Sequence, residues 1–208
     1  HAACGQMAAN LIPGGLFEGA DWLHLSGSTI FLNDNSRAAC QKAMDLIISQ
    51  GGKISLYPNL RPELMPVDEA AKALAPFLAA ADLLLPTESE ARALTGESEI
   101  PRAVQVLNAK QDAILVLKRG PSGCSIWSEG KQIDVPGFAV EEIDPTGAGD
   151  CFSAAFIASL EAGWSLEQAG RFANAAGALA VTQLGPMEGA PSRHEVENLL
   201  SSEKTARE

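Results

Sequence analysis

Asp144-Pro145-Thr146-Gly147-Ala148-Gly149-Asp150-Cys151-Phe152-Ser153-Ala154-Ala155-Phe156 joins a turn of small residues to an apolar, alanine-rich run. The run predicts a buried helix, and the two glycines and alanine before it leave the backbone bare and free to turn. The N–H groups of residues 147–150 then fall at the helix N-terminus, unpaired, where the dipole carries roughly half a positive charge. Such a terminus holds an anion, typically a phosphate. A carboxylate there, Asp150, repels the ligand if anion binding is all the site does. It fits if Asp150 takes a proton from a hydroxyl while the N–H groups neutralise charge growing on a transferring phosphoryl group. The plainer reading of the same residues is that Asp150 only complements the dipole of a first helical turn.

Two familiar nucleotide motifs are excluded. The chain has no G-x-x-x-x-G-K-[ST] loop. Gly147-Ala148-Gly149 also lacks the third glycine of G-x-G-x-x-G, with Phe152 at the position it would take.

The chain is 208 residues long, enough for one domain with a substantial core, and its 46% apolar and 20% charged composition is that of a globular protein. A formal charge of −11 argues against nucleic acid as a partner, although a local site can still bind ATP. Cys4, Cys40, Cys124 and Cys151 form no C-x-x-C pair. Cys124 and Cys151 lie among apolar neighbours, as reduced core thiols do, and this predicts a cytoplasmic setting. His1, His24 and His194 share no ligand spacing, which argues against a zinc site. No run reaches the length of a membrane span, so no membrane partner is expected.

Working outward, Trp22–Gly27 reads as a buried strand and Asn35–Ser49 as an amphipathic helix stopped by Gly51-Gly52. A strand at 53–57, a helix at 67–81, a strand at 82–86 and two short helices at 88–95 and 100–109 follow. Residues 113–117 are apolar throughout, as a central parallel strand should be. A hairpin is predicted at 124–127 and 131–135, turning at Glu129-Gly130. Three helices close the chain. Ser165–Gln168 is a capping-box candidate for a helix running to about Thr182, and Ser192–Glu195 is another for the last helix. The tail from Ser201 to Glu208 is polar and is expected to fray. This alternation predicts a single α/β domain over residues 1–208, with a parallel sheet covered by helices on both faces.

The string D-P-T-G-A-G-D-C-F-S-A-A-F resembles the C-terminal signature of the ribokinase-like (PfkB) sugar kinases, and four further segments agree in order and spacing. Pro58-Asn59-Leu60-Arg61 resembles the D-x-N-x-R segment, Pro86-Thr87-Glu88-Ser89-Glu90 the N-x-x-E motif, and Lys118-Arg119-Gly120-Pro121-Ser122-Gly123 the K-x-G-x-x-G loop. Phe172–Gly177 resembles the helix beside the adenine. The resemblance implies a ribokinase-like, Rossmann-type three-layer fold with a mainly parallel sheet, of which this chain is the C-terminal, nucleotide-binding portion. It implies Asp150 as the base, with Gly147, Ala148 and Gly149 as the anion hole. Asn59 and Arg61 are implied on the substrate, and Lys118, Gly120, Gly123, Asn174 and Thr87 on the nucleotide. Glu90 is implied to place Mg²⁺, and Asp144 to hold K⁺. An Arg at 61 suits a sugar acid, because a guanidinium meets a carboxylate with two parallel hydrogen bonds.

The chain departs from the pattern at three positions. Tyr57 stands at the aspartate of D-x-N-x-R, Thr87 at the asparagine of N-x-x-E, and Gly189 at a hydroxyl some relatives give to the monovalent cation. Of the front region in which the family carries an early sugar-binding Asp, a Gly-Gly-x-x-x-Asn segment and a β-sheet lid, residues 1–20 contain only the end. The chain alone is therefore expected to turn over slowly or not at all, since a dry transfer site normally needs a lid. Lid-paired dimers among relatives imply a homodimer of the longer protein.

The resulting expectation is ATP- and Mg²⁺-dependent phosphorylation of a primary hydroxyl of a ketohexose or a 2-keto-3-deoxygluconate-like sugar acid. A nucleotide- or sugar-binding regulatory domain without turnover, or an inactive fragment, is the alternative. A Rossmann-type dehydrogenase comes third.

Overall fold

The computed structural model describes residues 3–108 and 112–205, which fall into two compact units divided between Leu117 and Lys118.

The first unit opens with short 3₁₀ turns at Ala3–Gln6 and Ala9–Leu11. It then alternates strands and helices: β1 (Trp22–Ser26), α1 (Gly27–Ile30), α2 (Asp34–Ser49), β2 (Lys53–Tyr57), α3 (Val67–Ala80), β3 (Leu83–Leu84), α4 (Glu88–Thr95), α5 (Ile100–Leu107) and β4 (Ile114–Lys118). β1 to β4 pair in chain order, all parallel. The register sets Leu25, Leu56, Leu84 and Leu115 side by side across the four strands, each at most 5% exposed. Strands this apolar belong where both faces are covered. α2 begins where Asn33 accepts from the Ser36 N–H, and it packs against β1 and β2.

β3 is shorter than the strand predicted over 82–86, although its flanks still bond the neighbouring strand, Asp82 N–H to Ile54 O at 2.8 Å and Leu85 N–H to Leu56 O at 2.9 Å. The Asp82 carboxylate also accepts from the Ile54 N–H at 2.9 Å, and Pro86 has no N–H to extend the ladder. The segment predicted to helix at 108–109 only partly lies in the described residues, and α5 ends at Leu107 with Asn108 as its cap.

In the second unit β5 (Cys124–Ser128) and β6 (Lys131–Val135) form the predicted antiparallel hairpin. Its turn carries positive φ at both Glu129 (52°) and Gly130 (73°), the twist that suits a two-residue hairpin loop. α6 (Ala148–Glu161), α7 (Leu166–Ala180) and α8 (Arg193–Thr205) follow. α7 packs on α6, on α8 and on both hairpin strands. Gly170 lets α7 lie close, since a Cβ there would come within 2.9 Å of Ile126 and 3.0 Å of Val135.

The Ser165 capping box is present, and Ser192 and Glu195 exchange the same reciprocal bonds. α8 runs through Thr205, so the tail frayed in expectation is helical over most of its length. Cys124 is fully buried, and burial pushes its thiol up to about 12. Cys151, expected in the core with it, is instead partly exposed. Among the described residues no helix is long and apolar enough to cross a membrane.

Candidate active site

The signature stretch of the second unit folds as its glycines suggest. Gly147 caps α6 with φ 86° and ψ −13°, a left-handed conformation that a side chain rarely adopts. A Cβ on Gly147 would also stand 2.5 Å from the Pro186 carbonyl oxygen, so the backbone of the 183–187 loop abuts the cap directly. Of the four N–H groups expected to be unpaired, two are engaged in the turn. Ala148 donates to Pro145 at 3.3 Å, and Asp150 donates to Gly147 at 3.1 Å. The N–H groups of Gly147 and Gly149 make no hydrogen bond among the described residues and are the donors left for an anion. Asp150 sits in the first helical turn with its side chain exposed.

Asp144 clasps this turn. Its Oδ1 accepts from the Thr146 N–H and its Oδ2 from the Gly185 N–H, both at 2.9 Å. The hydrogen bonds of Thr146, with that of Gly185, hold its carboxyl below the usual range. Gly189 has a local cause of its own: a Cβ there would stand 2.1 Å from the Ala180 carbonyl oxygen, leaving no room for a hydroxyl side chain.

The K-x-G-x-x-G segment is a 3₁₀ turn over Gly120–Ser122, closed by Arg119 N–H donating to Gly123 O at 2.8 Å. Gly120, at φ 56°, faces open space. Gly123, at φ 91°, does not: a Cβ would lie 2.1 Å from Val135 O and 2.5 Å from Gly137 N. Its bare backbone serves the protein's own hairpin. Lys118 is 8% exposed, so the residue expected to face phosphate is buried. Arg119 donates to Cys124 O at 3.3 Å and lies 3.8 Å from the Asp134 carboxylate.

Asn174, expected at the purine, is 6% exposed. Its Nδ2 donates to Val135 O and to Pro136 O, each at 3.1 Å, so both amide hydrogens are taken and only Oδ1 remains for another contact. Asn174→Ala is expected to lower stability by about 1–3 kcal/mol, because the buried Val135 carbonyl and the part-buried Pro136 carbonyl lose their donor. The check is a urea titration. An unchanged midpoint with a lost preference for ATP over GTP would instead place the side chain on the base.

A groove of about 350 Å³ between α6, α7 and α8 is lined by Cys151, Ala158, Trp164, Phe172, Arg193 and Val196, and its walls carry no carboxylate. It lacks a base for hydroxyl chemistry.

The first unit gathers polar groups beyond the carboxyl ends of its strands, where open α/β sheets bind ligands. After β2 the chain turns through Asn59 at φ 39°, a non-glycine in the left-handed region. Asn59 is 8% exposed and donates from Nδ2 to Ser26 Oγ at 3.0 Å and Ser28 Oγ at 3.3 Å. Between those serines, a Cβ on Gly27 would stand 1.8 Å from Pro58 O. The turn is thus locked onto the end of β1. In the sequence Ser26 falls at the end of the predicted strand and Ser28 just beyond it, and neither stands among the predicted site residues. Arg61, two residues on, is exposed, and its guanidinium makes no ion pair among the described residues.

After β3, Thr87 caps α4 by accepting from the Glu90 N–H at 3.2 Å. Glu90 Oε2 accepts from the Thr87 N–H at 2.8 Å, completing a capping box. Glu90 Oε1 accepts from the Leu60 N–H at 2.9 Å, and the residue is 8% exposed. Tyr57, at the end of β2, is half-buried.

Among the described residues no three His, Cys, Asp or Glu side chains form a metal-binding group. Mg²⁺ arriving on nucleotide phosphates needs only one or two carboxylates and fits such a donor set.

A model of the pfkB family of carbohydrate kinases matches residues 6–193. The chain is 42% identical over 121 residues to a ribokinase of Bacillus subtilis, an alignment covering 58% of this chain and 40% of that protein. A candidate ribokinase II of Escherichia coli, crystallised with ATP and Mg²⁺, superposes with a TM-score of 0.91 at 36% identity, covering 97% of this chain and 65% of its own. A fructokinase double mutant of Vibrio cholerae, with fructose, ADP and potassium bound, gives a TM-score of 0.80 at 31% identity, covering 86% and 60%. The chain thus spans between 40% and 65% of the length of these three proteins.

Proposed function

The chain belongs to the pfkB family of carbohydrate kinases, and we propose that the protein transfers the γ-phosphoryl of ATP to a primary hydroxyl of a sugar or keto-sugar acid, with Asp150 as general base. One observation carries the reading: an exposed carboxylate in the first turn of α6 stands next to the unbonded N–H groups of a left-handed glycine cap. A binder of phosphate gains nothing from that carboxylate, whereas a phosphoryl-transfer site needs both parts.

The residues take these roles. Asp150 accepts the proton of the attacking hydroxyl. Gly147 and Gly149 donate to the anion, and Ala148 shapes the turn between them. Asp144 fixes the turn through Thr146 and Gly185, and each of its oxygens keeps a lone pair with which K⁺ can be met. Gly120 leaves the backbone open to nucleotide. Gly123, Lys118 and Asn174 support that loop from buried positions, and Thr87 starts the helix that carries Glu90. Arg61 clasps the substrate anion, held out by the turn that Asn59 fixes. Glu90, with its two oxygens on the Leu60 and Thr87 N–H groups, fixes the start of α4 against the turn that carries Arg61. Mg²⁺, when bound, offsets the negative charge of the phosphates, and positioning by the protein does most of the rest.

The test is ADP release by the whole protein with Mg·ATP and a panel of ketohexoses, pentoses and keto-sugar acids. Sugar-dependent release is expected. Nucleotide binding without any sugar-dependent release would favour a regulatory domain of the same fold.

A further inference from the structure

We infer that Glu90 is a positioning residue that acts through Arg61. This rests on the proposed role of Arg61 as the substrate's anion clamp. Glu90 is separated from Leu60 by 30 residues, yet its Oε1 accepts the Leu60 N–H at 2.9 Å while Oε2 holds the Thr87 N–H at 2.8 Å. One buried carboxylate therefore ties the start of α4 to the Asn59–Leu60 peptide, one residue before Arg61. The turn it grips is fixed from the other side by Asn59 on Ser26 and Ser28 and by the close approach of Pro58 to Gly27. Asn59 holds a left-handed φ, a conformation that costs energy and persists only where the surroundings enforce it. Two anchors that meet at the Asn59–Leu60 peptide leave Arg61 little freedom in where its chain leaves the loop. A guanidinium presented from a fixed backbone loses less entropy on clasping an anion.

Two substitutions separate this role from one in metal binding. Glu90→Gln removes the charge and turns an amide N–H toward one of the two backbone donors, opening one of the bonds. Glu90→Asp keeps the charge but falls short of spanning both N–H groups. If Glu90 positions Arg61, both variants raise the KM for an acidic sugar about tenfold, with kcat and the Mg²⁺ dependence little changed. In an Arg61→Ala background the same substitutions then add less than twofold. Hydrogen exchange at the Leu60 amide, protected in the wild type, accelerates at least tenfold in both variants. That readout needs no turnover, so it separates failure of the clasp from failure of the kinase reading.

Three results would overturn the inference. One is an undiminished KM penalty in the Arg61→Ala background. Another is a Mg²⁺ requirement that rises in Glu90→Gln and is restored in Glu90→Asp. The third is a Leu60 amide that exchanges equally in all proteins. Thermal melts of both variants identify any that merely fail to fold, and for such a variant the other one carries the test.

Discussion

Asp150→Asn is expected to lower kcat by about 10²–10⁴-fold, the range a positioned general base contributes. That corresponds to about 2.7–5.4 kcal/mol of transition-state stabilisation at 1.36 kcal/mol per decade. The substitution keeps size and shape, and the side chain is exposed in the first turn of α6, so no packing is lost. What changes for the fold is one favourable charge at a helix N-terminus, worth about 0.3–1 kcal/mol. Activity should therefore collapse while the urea midpoint moves little and nucleotide affinity holds or rises. The comparison that checks this is kcat against stability for the two proteins. Equal kcat values would mean that Asp150 is only a dipole complement.

Gly147→Ala is expected to reduce kcat about a hundredfold and to lower Tm by several degrees. Two costs coincide at this position. An alanine at φ 86° pays about 1–2 kcal/mol for the left-handed conformation. Its Cβ would also stand 2.5 Å from Pro186 O, a backbone atom that can move only if the loop moves. Relief of that clash displaces either the cap, with its unbonded N–H groups, or the loop that Asp144 holds through Gly185. A displacement near 1 Å at a transfer site is enough for a loss of about 10²-fold. Steady-state kinetics beside a thermal melt check both halves. A variant with wild-type kcat would show that the cap does not hold the phosphoryl group.

Much of the architecture was readable from local pattern. Apolar runs such as 113–117, the Glu129-Gly130 turn and the Ser165 and Ser192 boxes each carry their signal within a few residues. The exceptions come from partners distant in the chain. The Asp82 carboxylate, just before β3, accepts from the Ile54 N–H, 28 residues away. Glu90 and Asp144 announce themselves as acids beside motifs, and acids suggest metals. What they hold in the fold is the backbone N–H of Leu60 and of Gly185, 30 and 41 residues off. Nothing in a linear pattern reveals that either amide lies within reach. The same holds for Asn174, whose amide serves carbonyls of the hairpin 38 and 39 residues before it. Lys118 follows four apolar residues and is buried with them, although its motif suggested a phosphate contact. The cap at Gly147 and the place of Asp150 in the first turn of α6 were legible because a helix start is local.

The central claim is phosphoryl transfer to a sugar hydroxyl with Asp150 taking its proton. Phosphorus NMR of the whole protein with Mg·ATP and the sugar panel, run beside Asp150→Asn, tests it most directly. The account predicts a new phosphomonoester resonance coupled to methylene protons, dependent on sugar and formed at least a hundredfold more slowly by the variant. A phosphomonoester formed equally fast by both proteins, or ATP bound with no such product from any sugar, would contradict it.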